Sequence, residues 1–204
     1  IPIAAGLGSS AAISVSIARA LSQHLGRPLS PEQVSSLAFE VEKLHHGTPS
    51  GIDNTVVTYN RPVYFVRGNP PECFSIGAPF TLLIANSGQA SPTSIAVSKV
   101  RQQWETDPEG YEQLFDSIGE IANQARCLIK AGKISQLGPL MNKNQECLDA
   151  LGVSSDLLDR LIRAALQAGA FGAKLSGAGL GGNMIALVNA DCAADVQSAL
   201  AHAG

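Results

Sequence analysis

The stretch Pro2–Ala12, PIAAGLGSSAA, sets two glycines and two serine hydroxyls ahead of a helix-forming run. A strand ending in Ala4-Ala5-Gly6-Leu7-Gly8, with Ser9-Ser10 opening a helix, aims several unpaired backbone N–H groups at one point. Those donors and the positive end of the helix dipole make an anion site. Glycine lets backbone approach phosphate oxygens with no Cβ in the way, and a hydroxyl at the helix start can reach a metal bound to the same phosphates. No lysine follows the glycines, so this is not a Walker loop. On spacing alone, a tight strand-to-helix turn that holds nothing explains the stretch equally well.

Two carboxylates come next. Glu42 falls near the C-terminal end of a predicted second helix, where the dipole disfavours an acid; a solvated helix acid is the plain alternative. Asp53 sits in HGTPSGIDN (His46–Asn54), a loop constrained by Gly47, Pro49 and Gly51, and an Asx turn would also account for it. A metal-binding acid, an acid facing a substrate hydroxyl and a phosphate loop together make the inventory that phosphoryl transfer needs. A second glycine cluster, Ser176-Gly-Ala-Gly-Leu-Gly-Gly182, reads as a further backbone wall around phosphates or substrate, or as a turn close-packed against another backbone. Two unrelated glycine clusters near the two ends of one chain favour the first of these.

The elements that must position these groups follow from periodicity. Ser10 or its neighbour caps a first helix, with Ile13, Ile17, Ala20 or Leu21, and Leu25 at helical spacing, stopped by Gly26-Arg-Pro28. Ser30-Pro-Glu-Gln33 starts a second helix with a capping-box glutamine, and Val34, Leu37, Ala38, Val41 and Leu44 carry its apolar stripe. Val56–Tyr59, Val63–Val66 and Phe80–Ala85 read as strands, parted by turns at Asn60–Pro62 and Gly68–Pro71. Asn86–Ser94 reads as a polar loop. From Ile95 to about Gly169 the pattern is helical, with breaks at Asp107-Pro108, Gly132, Gly138-Pro139 and Gly152. Lys174–Gly182 interrupts it, placing the second glycine cluster between a helix and a buried strand at Met184–Val188; Ala193–Ala203 forms a last helix. The order suggests α+β layers with a weak boundary near Gly68–Pro79.

The 204 residues suit one domain or two small ones. A hydrophobic content of 45% with 15% charged residues describes a soluble globular chain. A net charge of −3 with no basic run argues against a nucleic-acid footprint or a membrane-surface patch, and no apolar run is long enough to span a bilayer. Cys73, Cys127, Cys147 and Cys192 stand far apart, as reduced thiols of a cytoplasmic protein do. His24, His45, His46 and His202 do not fall at zinc-ligand spacing. The chain opens on Ile1 with no signal-like segment, which reads as a chain whose true beginning is missing.

PIAAGLGSSAA, EKLHHGTPSGIDN and KLSGAGLGGN, in this order and at these distances, resemble the motifs of the GHMP small-molecule kinases. The middle motif is most similar to that of the mevalonate kinase branch. The likeness runs through most of the chain, and the three motifs together are specific where each alone is not. The resemblance implies a GHMP kinase fold in two parts. Residues 1–75 would form an incomplete N-terminal domain like ribosomal protein S5 domain 2, and 76–204 a C-terminal α/β domain of ferredoxin-like type. It implies ATP and Mg²⁺, with mevalonate as the small-molecule substrate and a homodimer as the assembly. Ala4, Ala5, Gly6, Leu7, Gly8, Ser9 and Ser10 match the segment that wraps the ATP phosphates. Ser10 and Glu42 match the magnesium ligands, and Asp53 the catalytic acid. Gly177, Ala178 and Gly179 match the third motif, near the phosphates, and Thr93 is a weaker match to a threonine near the active site. The family's positive charge at the γ-phosphate comes from a lysine in a first motif upstream of Ile1, and the C-terminus stops a little early. Leu180 stands where many members carry another glycine. Sister kinases acting on phosphomevalonate, homoserine or a sugar, and a nucleotide-binding relative without turnover, are the alternatives.

Overall fold

The computed structural model describes residues 7–46, 49–90 and 93–204. The chain forms two compact units, Ile1–Ser75 and Ile76–Gly204. In the N-terminal unit, α1 (Ser9–His24), α2 (Pro31–His46) and α3 (Ile52–Tyr59) pack on one another beside a short antiparallel pair, β1 (Val63–Tyr64) and β2 (Glu72–Cys73). The cap of α1 is not a serine. Gly8 takes that position in the left-handed region, at φ 69°, and both serines lie inside the first turn. Left-handed Gly26 closes the other end, with the Arg27 N–H returning to Ser22 O at 2.9 Å. The capping box of α2 forms in both directions: Ser30 N–H donates to Gln33 Oε1 at 2.9 Å and Gln33 N–H to Ser30 Oγ at 3.3 Å.

The first helix forms as its spacing predicts but buries another face, and one expected strand does not form. The stripe Ile13, Ile17, Leu21 and Leu25 of α1 is exposed, while Ala11, Val15 and Ser22 turn inward, so α1 is apolar on two faces and buries the smaller-residue one. Val56–Tyr59 is not a strand but the body of α3. Its β-branched residues favour extended backbone, and tertiary bonds override them. Thr55 Oγ1 donates to Gly51 O at 2.6 Å, and Asn54 Nδ2 donates to Ser35 of α2, at 3.1 Å to the carbonyl and 2.9 Å to the hydroxyl.

The C-terminal unit is a three-stranded antiparallel sheet in the order β3 (Thr81–Asn86), β5 (Asn183–Val188), β4 (Gly172–Ser176). Its helices are α4 (Thr93–Thr106), α5 (Pro108–Lys130), α6 (Leu137–Ala150), α7 (Asp156–Gln167) and α8 (Ala193–Ala203). Leu158, Leu161, Ile162 and Ala165 of α7 meet Ala173, Leu175, Met184, Ala186 and Val188 of the sheet, with Val196 and Leu200 of α8 completing the main core. Strand β4 escaped the sequence reading because Gly-Ala-Lys-Leu-Ser carries no β-branched residue. The expected break at Gly138-Pro139 is also absent. Both residues sit in the first turn of α6, where proline lacks nothing the helix needs.

Strand β4 is a sheet edge, and α6 covers it. The outward Ala173 N–H donates to Asn142 Oδ1 at 3.0 Å and the Leu175 N–H to Gln145 Oε1 at 2.8 Å. This arrangement both satisfies and hides edge amides that would otherwise recruit another strand. It requires backbone contact between helix and strand: a Cβ on Gly138 would stand 2.3 Å from Phe171 O, and one on Gly172 2.3 Å from Gly138 O. On the face of the sheet turned away from the main core, Lys174 is held among apolar groups. Burial pushes its amine down from 10.5 to about 8.

Two outcomes are expected. Gln145→Leu orphans the Leu175 amide and should cost about 1–3 kcal/mol, read as a lower urea midpoint from the fluorescence of Trp104, the chain's one tryptophan; an unchanged midpoint would show that the amide is hydrated instead. For Lys174, the unfolded chain binds the extra proton between pH about 8 and 10.5, so this group's contribution to stability rises with pH across that window. Lys174→Met should therefore be more stable than the parent near neutrality, by up to about 3 kcal/mol. That difference should shrink as pH climbs through the window, as tested by urea unfolding of both proteins at each pH.

Candidate functional site

Helix α2 buries Val34, Ala38 and Glu42, three positions spaced one helical step of four apart, so its seam ends on a carboxylate. Glu42 is only 5% exposed. A carboxylate held that far from water needs donors, and Ser10 of α1 supplies one: its Oγ donates to Glu42 Oε1 at 2.5 Å. Ala11 and Val15 follow Ser10 on the buried side of α1, which fixes the hydroxyl's direction.

The third helix brings Asp53 to the same end of α1. A Cβ built on Gly8 would lie 3.5 Å from Asp53 Cβ and 3.6 Å from Asp53 Cγ, so the acid rests against the glycine turn that opens α1. Sequence reading set Asp53 in a loop; it stands instead in the first turn of α3, where an acid suits the dipole. Left-handed Gly51, at φ 88°, starts that helix beneath the rings of Phe65 and Phe39, at 3.3 and 3.5 Å from where a Cβ would sit. Buried Asn54 and Thr55 face inward, which leaves Asp53 exposed. The Asn54–Ser35 bonds fasten α3, which carries the acid, to α2; sequence reading gave them no role, because side-chain bonds between helices leave no trace in spacing.

One helix start thus gathers Gly8, Ser10, Glu42 and Asp53. The first intrahelical bond of α1 runs from the Ala12 N–H to Gly8 O at 2.9 Å, so the N–H groups of Ser9, Ser10 and Ala11 precede the ladder. Leu7 is exposed at the same turn. Ala4, Ala5 and Gly6, and the Gly47-Thr48 part of the middle motif, lie outside the described residues. Among the described residues no cluster of three His, Cys, Asp or Glu side chains could hold a metal by itself. A hydroxyl and one carboxylate are nonetheless hard oxygen donors of the kind Mg²⁺ accepts when phosphates and water fill its remaining positions. The donor set fits magnesium on a nucleotide and does not fit a metal held by protein alone.

In the C-terminal unit, the second glycine cluster is the turn between β4 and β5, two strands, and not a helix-to-strand connection. The Leu180 N–H donates to Val153 O at 2.7 Å and the Gly182 N–H to Gln89 O at 2.9 Å. A Cβ on Gly179 would fall 2.1 Å from Val153 O, and one on Gly181 2.6 Å from Gln89 O. Those two glycines answer to close backbone packing. A Cβ on Gly177, at φ 93°, would meet nothing within 4 Å. Leu180 adopts φ 58°, a left-handed position that a glycine would take without strain. Thr93 opens α4 instead of lying in a loop.

Residues 1–61 match the family model for the GHMP kinases N terminal domain, and residues 115–204 that for GHMP kinases C terminal. The chain is 41% identical over 192 residues to the mevalonate kinase of Thermococcus sibiricus, covering 92% of this chain and 57% of that protein. Among solved structures it is similar to L. major mevalonate kinase in complex with R-mevalonate, with a TM-score of 0.87 and 32% identity over 96% of this chain and 61% of that one. The Methanococcus jannaschii mevalonate kinase gives a TM-score of 0.83 at 29% identity, covering 99% of this chain and 62% of that one. The chain therefore spans roughly three-fifths of the length of these relatives. Paired domain models, relatives of this identity and a shared mixed helix-and-strand architecture lead to one conclusion: the chain belongs to the GHMP kinase family.

Proposed function

We propose that the protein of which this chain is part transfers the γ-phosphoryl group of ATP to the terminal hydroxyl of mevalonate, yielding ADP and phosphomevalonate. The observation that carries the reading is the Ser10–Glu42 pair with Asp53 against Gly8, all at the amide-bearing start of α1. The naming of the similar relatives as mevalonate kinases, one of them solved with R-mevalonate, supports the choice of acceptor.

In this reading Gly8, Ser9 and Ser10 offer backbone N–H groups to the phosphate chain, assisted by the dipole of α1. Gly177, Ala178 and Gly179 are assigned to nucleotide phosphates on their likeness to the family's third motif. Ser10 and Glu42 hold Mg²⁺, which when bound neutralises charge on the phosphates. Asp53 orients the acceptor hydroxyl and takes its proton as the new P–O bond forms and the bond from the γ-phosphorus to the ADP oxygen breaks. Phosphoryl transfer rests mostly on positioning and charge neutralisation, so Asp53 serves chiefly to aim the hydroxyl. The four cysteines are free thiols, which suits a cytoplasmic setting.

Asp53→Ala in the full-length protein should lower kcat by about 10²–10⁴-fold while nucleotide binding, followed by fluorescence titration, stays near that of the parent; undiminished turnover would remove Asp53 from the chemistry. Ser10→Ala and Glu42→Gln should each raise the Mg²⁺ concentration for half-maximal rate by about tenfold or more. A magnesium titration that superimposes on the parent's in both variants would exclude them as ligands. A panel of mevalonate, phosphomevalonate, homoserine and galactose should show turnover with mevalonate foremost; a preference for any of the other three would reassign the acceptor.

A further inference from the structure

Between α5 and α6, on the sheet face turned away from the main core, lies a cavity of about 160 Å³ that no step of the proposed reaction uses. Its wall is mostly apolar, with Ile121, Ala122 and Ala125 of α5 and Leu137 and Met141 of α6 among its residues, and Asn144 of α6 and Lys174 of β4 are its polar members. Among the described residues, no carboxylate, histidine or second cation lines it. The Lys174 ammonium has three N–H groups to place. One donates to Leu175 O at 2.6 Å. A cation drawn in against a mostly apolar wall is costly to hold. Its depressed affinity for the proton reflects that cost.

We infer that this cavity is a binding site for a short aliphatic monocarboxylate, with the chain lodged between α5 and α6 and the carboxylate on Lys174 Nζ. The size agrees: a dry apolar cavity of about 150 Å³ admits benzene, so a linear chain of about six carbons is of suitable bulk. The head group follows from charge. A single ammonium neutralises a single negative charge, and the wall offers no second cation to a phosphate, which carries more charge and more acceptor oxygens. An alcohol of the same length would fill the cavity and leave the ammonium unpaired.

The test is isothermal titration of the full chain with hexanoate, hexanol and hexyl phosphate, in the parent and in Lys174→Met. Hexanoate should bind the parent, and Lys174→Met should weaken it by about tenfold or more through the lost charged hydrogen bond. Hexanol should bind both proteins alike, and hexyl phosphate should bind the parent no more tightly than hexanoate does. In the parent alone, hexanoate affinity should fall as pH rises through about 8, where Lys174 loses its charge; this arm stands whether or not the variant folds. Ala122→Leu, which fills the cavity, should abolish binding of both hexanoate and hexanol. Absence of hexanoate binding in the parent, equal affinity in Lys174→Met, a flat pH profile, tighter binding of hexyl phosphate, or unaltered binding in Ala122→Leu would each overturn the assignment.

Discussion

A carboxylate withdrawn from water has to be met by donors or it expels itself from the fold. Glu42 is withdrawn to 5% exposure at the end of the seam Val34–Ala38–Glu42, and the Ser10 hydroxyl meets it. That bond ties the start of α1 to the far end of α2, so the direction in which α1 presents its first N–H groups is set by a contact 32 residues away in sequence. Gly8 then becomes the residue that nothing larger can replace at no cost. Its left-handed turn, at φ 69°, starts the helix, and the Asp53 side chain lies within van der Waals reach of where a Cβ would stand. A hydroxyl, two acids and a row of amides are thus brought to one place by three short helices.

The same economy governs the C-terminal unit, with backbone in place of charge. Helix α6 crosses β4 at Gly138 and Gly172 because neither carries a Cβ, and this contact brings Asn142 and Gln145 within reach of the two edge amides. Farther along, Gly179 and Gly181 admit the carbonyls of Val153 and Gln89, which pin the β4–β5 turn at two points. Glycines that look alike in the sequence therefore do different work. Gly179 and Gly181 serve packing, whereas Gly177 is open on its Cβ side. Lys174 marks where the scheme meets its limit, since its long cationic side chain lines a mostly apolar cavity and donates to the Leu175 carbonyl.

Much was legible from the residues themselves because it depends on local chemistry. The capping box at Ser30–Gln33, the stop at Gly26, the break at Asp107-Pro108, the strand read at Phe80–Ala85 and found at Thr81–Asn86, and the last helix each follow from residues near one another in the chain. The candidates Ser10, Glu42 and Asp53 were likewise identifiable by type and motif. What spacing could not yield was which face of α1 turns inward, since both faces are apolar and only packing against Val34 and Ala38 selects the side of Val15. Nor could it show that Val56–Tyr59 coils, a choice made by the Asn54–Ser35 and Thr55–Gly51 bonds. Strand β4 depends wholly on β5 and α6 for its amide partners and has no signal of its own.

The sequence by itself determined the inventory: a glycine turn, a hydroxyl and two acids in a fixed order, with helices able to carry them. Tertiary structure alone decided that Ser10 touches Glu42, that Asp53 lies against Gly8, and that Lys174 faces an apolar cavity. The physical reason is that hydrogen bonds and close contacts between elements depend on distance in space, and separation along the chain encodes that distance only within a turn or two.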